Sequence, residues 1–462
     1  MATEELNIIA IELGSSKVVG VAGVKRFDGK IDVKAHALQD ASSFIRKGII
    51  YNEDRAGACI LNIIEKLREQ LKKKITKVYV CYSGQGVHSV HNEVSRTFDE
   101  GHKIVKEDIN TMFDENSDHV YEDHRILAAV PQEFSVGTLK QLDAVGVLSD
   151  NIVGRYLNII ARSQLRTNIE NCFKNQVHVS VAEYKLTPLV VADQLLNDAQ
   201  KNSGCVLVDI GADTTTVSIY KSKLLRFLSV IPLGSENITK DIMSLQLEHS
   251  EAEELKTSKF GEPYASFTEE EGESVVKTTS DGIEIKRKTL SAVIDARLTE
   301  ILANVKQQIN ESKYARESLI AGAFLTGGGA NMPNIVNVFK EVVGIDKVTV
   351  RKSSQSADYI LPPGIKNTEA RYVAVLGLVA AATQNCTEEL SEKDDKSIYD
   401  DEQLQPLSPA DADNKQEEST TAEAEAEKGG ETEKNTKKPK NKHFWGSFKK
   451  KFNQIVEGIA NE

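Results

Sequence analysis

The chain has 462 residues, 40% of them hydrophobic, and its 57 Lys+Arg against 69 Asp+Glu give a formal net charge of −12. That length holds two or more cores, so a multidomain globular protein is expected, and the acidic balance excludes a general nucleic-acid binder. Five cysteines (Cys59, Cys81, Cys172, Cys205, Cys386) are odd in number, scattered and without a C-x-x-C pair, which excludes a disulfide framework and a cysteine metal site and points to a reducing cytoplasm.

The start, MATEELNIIAIELG, is acidic where a signal peptide is basic, and its apolar run is too short and glycine-broken to span a bilayer. Asn7 to Val24 reads as a hairpin: an apolar strand ending in Glu12, then Gly14, a polar turn of Ser15, Ser16 and Lys17, and a second strand. A strand is expected at Ile31 to Leu38, and a helix at Asn52 to Lys72, capped by Asn52 and apolar along Ile60, Ile63, Ile64, Leu67 and Leu71. Another strand follows at Lys77 to Tyr82. Residues 84–163 read as an insertion in this first α/β unit. A helix, a strand at Val177 to Val181 and a second helix then lead on to Gln200.

Cys205 to Tyr220 repeats the opening pattern: an apolar strand, Asp209, Ile210, Gly211, a turn through Ala212, Asp213 and Thr214, and a strand. Such self-similarity marks a duplicated unit. A turn of glycine and small polar residues lets backbone N–H groups converge on an anion, and a strand-end carboxylate reaches a phosphate-bound cation through water. Further on come a strand, Leu224 to Ile231, a turn through Gly234 into a helix at Asn237 to Leu247, a short helix at Ala252 to Lys256, a strand at Gly282 to Lys286 and a long amphipathic helix from Leu290 to Tyr314. The strand Ala323 to Thr326 feeds Gly327, Gly328 and Gly329, where a flat ring or a phosphate can lie on bare backbone before the helix Asn334 to Val343. A last helix spans Arg371 to Ala382.

Two phosphate-holding hairpins facing one another across a cleft resemble the superfamily of actin, Hsp70 and the sugar kinases. LTGGGA (Leu325 to Ala330), VPQEFSV in the insertion (Val130 to Val136), TLSAVIDARLTEIL (Thr289 to Leu302) and the C-terminus narrow the resemblance to FtsA, the bacterial actin-like cell-division family, over about residues 7–385 and the last twenty. The resemblance implies an α/β, actin-like two-domain fold with a nucleotide cleft and an FtsA-type inserted subdomain. It divides the chain into a first domain (1–83 and 164–202) interrupted by the insertion (84–163), a second domain (203–242 and 315–385) with a small lobe (243–314), a linker (386–441) and a terminal helix (442–462).

The same resemblance implies ATP with Mg2+ as ligand. Gly14, Ser15, Ser16, Lys17, Asp209, Gly211, Asp213 and Thr214 would hold the phosphates and Gly234 would close the cleft; Glu12 and Asp209 would reach the Mg2+ through water. Glu253 and Lys256 would hold the adenosine, with Gly327, Gly328 and Gly329 against the adenine. Glu12 and Thr216 stand where the family usually has Asp, so binding is expected with slow or absent hydrolysis. Arg297, aided by Lys286-Arg287-Lys288, would pair with an acidic residue in the C-terminal tail of FtsZ, the tubulin relative. Other implied partners are further copies of the chain in a filament, an anionic membrane and later division proteins. Two alternatives are weaker. A small-molecule kinase needs a carboxylate base facing a substrate pocket, for which no clear candidate exists; a chaperone ATPase needs a β-rich domain after Gln384, where no strand signal occurs.

From about Gln384 to Asn441 the chain is Glu, Asp, Lys, Ser, Thr and Ala, a composition expected to form a disordered tether. It ends in HFWGSFKKKFNQIVEGI, His443 to Ile459. At 100° per residue Phe444, Trp445, Phe448, Phe452, Ile455, Val456 and Ile459 share a stripe about 120° wide, flanked by Lys449 and Lys451. That is the pattern of a helix lying on an anionic membrane. The expected location is the cytoplasmic face of the cell membrane at the division septum.

Overall fold

The computed structural model describes residues 5–353, 358–365 and 370–389. The expected terminal helix with Phe444, Trp445, Phe448, Lys449, Lys451, Phe452, Ile455 and Ile459, and the linker beyond residue 389, lie outside the described residues.

β1 (Leu6–Leu13) and β2 (Lys17–Lys25) form the first hairpin, with Leu6 opposite Lys25 and Leu13 opposite Val18. β3 (Ile31–Asp40) extends it antiparallel. The two-residue strands β4 (Ile45–Arg46) and β5 (Ile49–Ile50) enclose Lys47 and Gly48, both at positive φ (50° and 77°), the signature of a type I′ turn. α1 (Glu53–Leu71) starts where Asn52 accepts the Arg55 N–H at 2.9 Å and ends at Lys72, left-handed with φ 53°. Its apolar face, Ile60, Ile63, Ile64 and Leu67, is buried. It lies so close to β2 that a Cβ on Gly20 would stand 2.3 Å from the Ile63 side chain.

After β6 (Lys74–Ile75), β7 (Lys77–Tyr82) runs parallel to β1. The inserted stretch follows as β8 (His88–Thr97), α2 (Lys106–Ser117), β9 (His124–Val136), β10 (Leu139–Gln141) and β11 (Asn151–Arg162). α3 (Ser163–Cys172) runs into a π-turn at Phe173–Val177, and His178 takes a left-handed conformation. The strand expected at Val177 to Val181 therefore forms later, as β12 (Ser180–Leu186). α4 (Thr187–Leu195) and α5 (Asp198–Ser203) lead to the second half.

There β13 (Cys205–Ile210) and β14 (Thr215–Lys221) make the second hairpin and β15 (Leu224–Ile231) extends it. α6 (Ser235–Met243) begins two residues before the expected helix and stops earlier than Leu247. The small lobe holds α7 (His249–Thr257), α8 (Glu269–Glu273), the pair β16 (Val275–Thr278) and β17 (Glu284–Lys286), and α9 (Arg287–Glu311). β18 (Gly322–Thr326), α10 (Ile335–Val343), β19 (Val348–Val350), β20 (Tyr359–Ile360), α11 (Val373–Ala381) and β21 (Thr387–Glu388) complete the described chain.

Two sheets dominate, in the orders β12-β7-β1-β2-β3-β20 and β10-β9-β11-β8-β15-β14-β13-β18-β19. The second order was not anticipated, because the insertion's strands join the sheet of the second half rather than that of the first. The joint is narrow. Ser229 pairs with His88, the Val230 N–H donates to the Val87 carbonyl at 3.0 Å, and the Gln132 amide donates to the Leu225 carbonyl at 3.1 Å while accepting from Arg226 at 3.0 Å. α11, which the resemblance assigns to the second domain, is apolar on every side and packs into the first core with β1, β2, β7 and α4. A Cβ on Gly23 would stand 2.9 Å from Val379. The tether is expected from residue 386, but Cys386 is buried and Thr387 pairs with Ile75, so both belong to the fold. No helix among the described residues is long and apolar enough to cross a membrane.

Candidate functional site

The two hairpins turn in the same way. The Gly14 N–H donates to the Lys17 carbonyl at 3.0 Å, and the Gly211 N–H donates to the Thr214 carbonyl at 2.8 Å. A Cβ on either glycine would stand 2.9 Å from that carbonyl oxygen, so both positions need glycine for the same reason. The repeat read in the sequence is a repeat of backbone geometry.

A third element, missed in the sequence, touches both tips. The Lys47 N–H donates to Asp213 Oδ2 and the Gly48 N–H to Ser15 Oγ, each at 2.9 Å. The type I′ turn between β4 and β5 thus presents consecutive amides to the first and second hairpins at once. Gln85 donates to the Lys47 carbonyl at 2.8 Å, wedging the turn against the start of the insertion. Arg46-Lys47-Gly48-Ile49 carries a two-residue turn signal between apolar residues, but nothing local shows where its tip reaches. A Cβ on Gly48 would meet the Ser83 carbonyl oxygen at 2.0 Å and Gly84 Cα at 2.5 Å. Gly48→Ala is accordingly expected to cost about 2 kcal/mol or more, read as a lower thermal midpoint; a variant as stable as wild type contradicts the wedge.

Glu12, opposite Val19 on one side and Cys81 on the other, and Asp209, opposite Thr216 and Thr326, are the strand-end carboxylates. Burial pushes the Glu12 carboxyl up to about 7; the Lys17 ammonium pulls it down and the Asp209 charge raises it further. Burial likewise pushes Asp209 up to about 6, again opposed by Lys17. Glu12 Oε2 is buried with no hydrogen-bond partner. Two carboxylates held close around one ammonium, each resisting ionisation, form a centre that a divalent cation would relieve. Thr216 is buried, so no carboxylate occupies that position of β14.

Gly234 is extended, not left-handed (φ −151°); glycine is needed there because a Cβ would stand 2.2 Å from the Ala212 carbonyl oxygen. The first amides of α6 complete the contact, Ser235 to the Gly211 carbonyl at 2.9 Å and Glu236 to the Ala212 carbonyl at 2.8 Å. In the Glu253–Lys256 pair on α7 the lysine is sunk while the glutamate stays half-exposed. Lys256 is 4% exposed, and its Nζ donates to Glu253 Oε2 at 2.5 Å, to Thr239 Oγ1 at 2.7 Å and to the Ser235 carbonyl at 3.4 Å. The pair pins α7 against the start of α6.

The triple glycine divides its work. Gly327 has φ 87°, and a Cβ there would meet Asp209 Oδ1 at 2.4 Å, while one on Gly329 would meet the Ile210 side chain at 2.3 Å. Only Gly328 faces open space. A 3-10 turn (Gly329–Asn331) starts on the last of the three glycines and ends before α10, so the glycines do not lead straight onto a helix N-terminus. Arg297, on α9, is already engaged, forking Asp241 of α6 through Nε at 2.5 Å and Nη2 at 3.1 Å.

This architecture is that of the actin-like proteins: two sheets built around matched hairpins, with the acidic strand ends opposed. The PilM-PilN type IV pilus biogenesis complex shares the fold, with a TM-score of 0.54 at 12% identity over 80% of this chain and 97% of that one. In sequence, the family model for the cell division protein FtsA matches residues 206–377. The cell division protein FtsA of Porphyromonas gingivalis is 30% identical over 384 residues, covering 82% of this chain and 78% of the relative. Those of Neisseria meningitidis (27% identical, 74% and 83% covered) and Escherichia coli (25%, 72% and 81%) match similarly. The chain belongs to the FtsA family of cell-division proteins.

Proposed function

We propose that the chain binds ATP with Mg2+ between the two hairpins, polymerises at the inner face of the cell membrane at the septum, and tethers FtsZ filaments there. The observation that carries the nucleotide reading is the pair of glycine turns bridged by one type I′ turn, with Glu12 and Asp209 opposed around Lys17. Gly14 to Lys17 and Gly211 to Thr214 hold the phosphates, with Gly234 setting the second loop against α6. Glu253 and Lys256 hold the adenosine and open Gly328 faces the base. The orphaned Glu12 Oε2 and the raised carboxyls fit a hydrated Mg2+, which supplies charge neutralisation to the phosphates when bound. Thr216 offers no carboxylate to orient a water, in keeping with a slow ATPase whose main role is structural.

In this reading residues 1–83 with 164–202 make the first domain, 84–163 the inserted subdomain, 203–242 with 315–385 the second domain apart from α11, which packs on the first core, and 243–314 the lobe that takes the FtsZ tail. Arg297 supplies the positive charge for that tail. Residues 442–462 supply the membrane helix, and later division proteins join the assembly. The test is co-sedimentation. FtsZ is expected to pellet with anionic liposomes when the full chain and Mg-ATP are present and to stay in solution without the chain; FtsZ left in the supernatant in both cases contradicts the tethering role.

A further inference from the structure

Helix α6 buries Ile238 and Ile242 in the second core and is tied at three points by polar contacts. Its first amides sit on the Gly211 and Ala212 carbonyls of the second hairpin, at 2.9 and 2.8 Å. At its middle, Thr239 donates to Glu253 and accepts from Lys256, both at 2.7 Å. Near its end, Asp241 takes the Arg297 fork at 2.5 and 3.1 Å, while Arg297 Nη1 also reaches Glu300 at 2.5 Å. The Arg297 and Asp241 side chains remain 27% and 32% exposed, so an external carboxylate has access to the same guanidinium. A helix of nine residues is a rigid bar about 14 Å long, so the hairpin and the Arg297 surface are the two ends of one body.

We propose that Asp241 occupies, on Arg297, the place of the partner tail's acidic residue, so that tail capture and nucleotide occupancy oppose one another through α6. This rests on the reading of Arg297 as the tail's anchor. Asp241 fills the Nε–Nη2 edge of the Arg297 guanidinium while Glu300 takes only Nη1, so a tail carboxylate that forks the Nε–Nη2 edge must displace Asp241. Losing Asp241 removes the polar anchor near the C-terminal end of α6, leaving that end held by the buried Ile242, and the N-terminal end of the same helix carries the second hairpin. Nucleotide that fixes that hairpin holds α6 where Asp241 keeps Arg297. The linkage is reciprocal, each ligand weakening the other by the same factor.

The test uses the full chain, a fluorescent peptide of the FtsZ C-terminal tail read by anisotropy, and Mg-ATP titration. In the wild type, saturating Mg-ATP is expected to weaken the tail by about 5-fold or more. Asp241→Asn is expected to tighten the tail and reduce that factor to one. Asp241→Asn and Arg297→Ala are each expected to change Mg-ATP affinity, and the double variant to change it no further than either alone. An unchanged factor in Asp241→Asn, or single-variant effects on Mg-ATP that are nil or simply add, overturns the linkage. Failure of the peptide to bind the wild type overturns the Arg297 anchor instead, and the Mg-ATP cycle still decides the linkage.

Discussion

Replacing Trp445 and Phe452 with Glu is expected to move the protein from the pellet to the supernatant of an anionic-liposome sedimentation, with nucleotide binding intact. In a helical register Trp445 and Phe452 would share one apolar stripe flanked by Lys449 and Lys451. Each large apolar side chain contributes about 1.5–3 kcal/mol when fully buried, and ordering the helix offsets much of that. One tail is therefore expected to hold weakly. Two carboxylates in the stripe remove two anchors and set negative charge against anionic head groups, so the binding that remains falls below detection. Joining many tails in one filament raises the avidity by orders of magnitude, which makes the wild-type signal grow under polymerising conditions and the variant's signal fail to. Pelleting of the variant at wild-type levels places the membrane contact elsewhere.

Glu12→Gln is expected to stabilise the empty protein at pH 8 and to weaken Mg-ATP binding. Burial holds the Glu12 carboxyl near 7 against an ordinary value of 4.5. Between those values the native state binds more protons than the unfolded chain, so stability falls as pH rises. The whole cost, about 3 kcal/mol, is felt above pH 7. Asp209, raised to about 6, acts in the same sense. Thermal midpoints of the apo wild type are expected to decline from pH 5 to pH 8, and those of Glu12→Gln to decline less. Binding a cation requires both carboxylates ionised, so Mg-ATP affinity of the wild type rises over pH 6–8 with proton release on the acid side. Parallel pH profiles for the two proteins contradict a proton-holding Glu12.

What was legible in the sequence is what local chemistry decides. Asn52 capping α1, the continuous apolar run of β7 and the glycine turns of both hairpins fell where the residues placed them, because each depends on neighbours a few positions away. The π-turn at Phe173–Val177 delays β12 and leaves no mark in the apolar pattern. The rest depends on distant partners. The Lys47 amide meets an Asp213 carboxylate 166 positions later. One bridge at Ser229 and His88 joins the insertion to the second sheet, and the polar pair Thr387–Glu388 makes a strand because Lys74 and Ile75 present an edge. Within the candidate site, residue types were readable but engagements were not. Lys256 is sunk against α6, Arg297 is taken by Asp241, and two of the three glycines are needed for packing against the second hairpin.

Calorimetric titration of the full chain with Mg-ATP, beside Asp209→Ala, tests the central claim most directly. Asp209, next to last in β13, lies between Thr216 and Thr326, with Gly327 packed on its carboxylate, and it is the group whose charge reaches Glu12 across the two hairpins. The account predicts saturable binding by the wild type and a loss of tenfold or more, about 1.4 kcal/mol or above, in the variant. No heat of binding in the wild type, or equal affinity in Asp209→Ala, contradicts a nucleotide site between the hairpins.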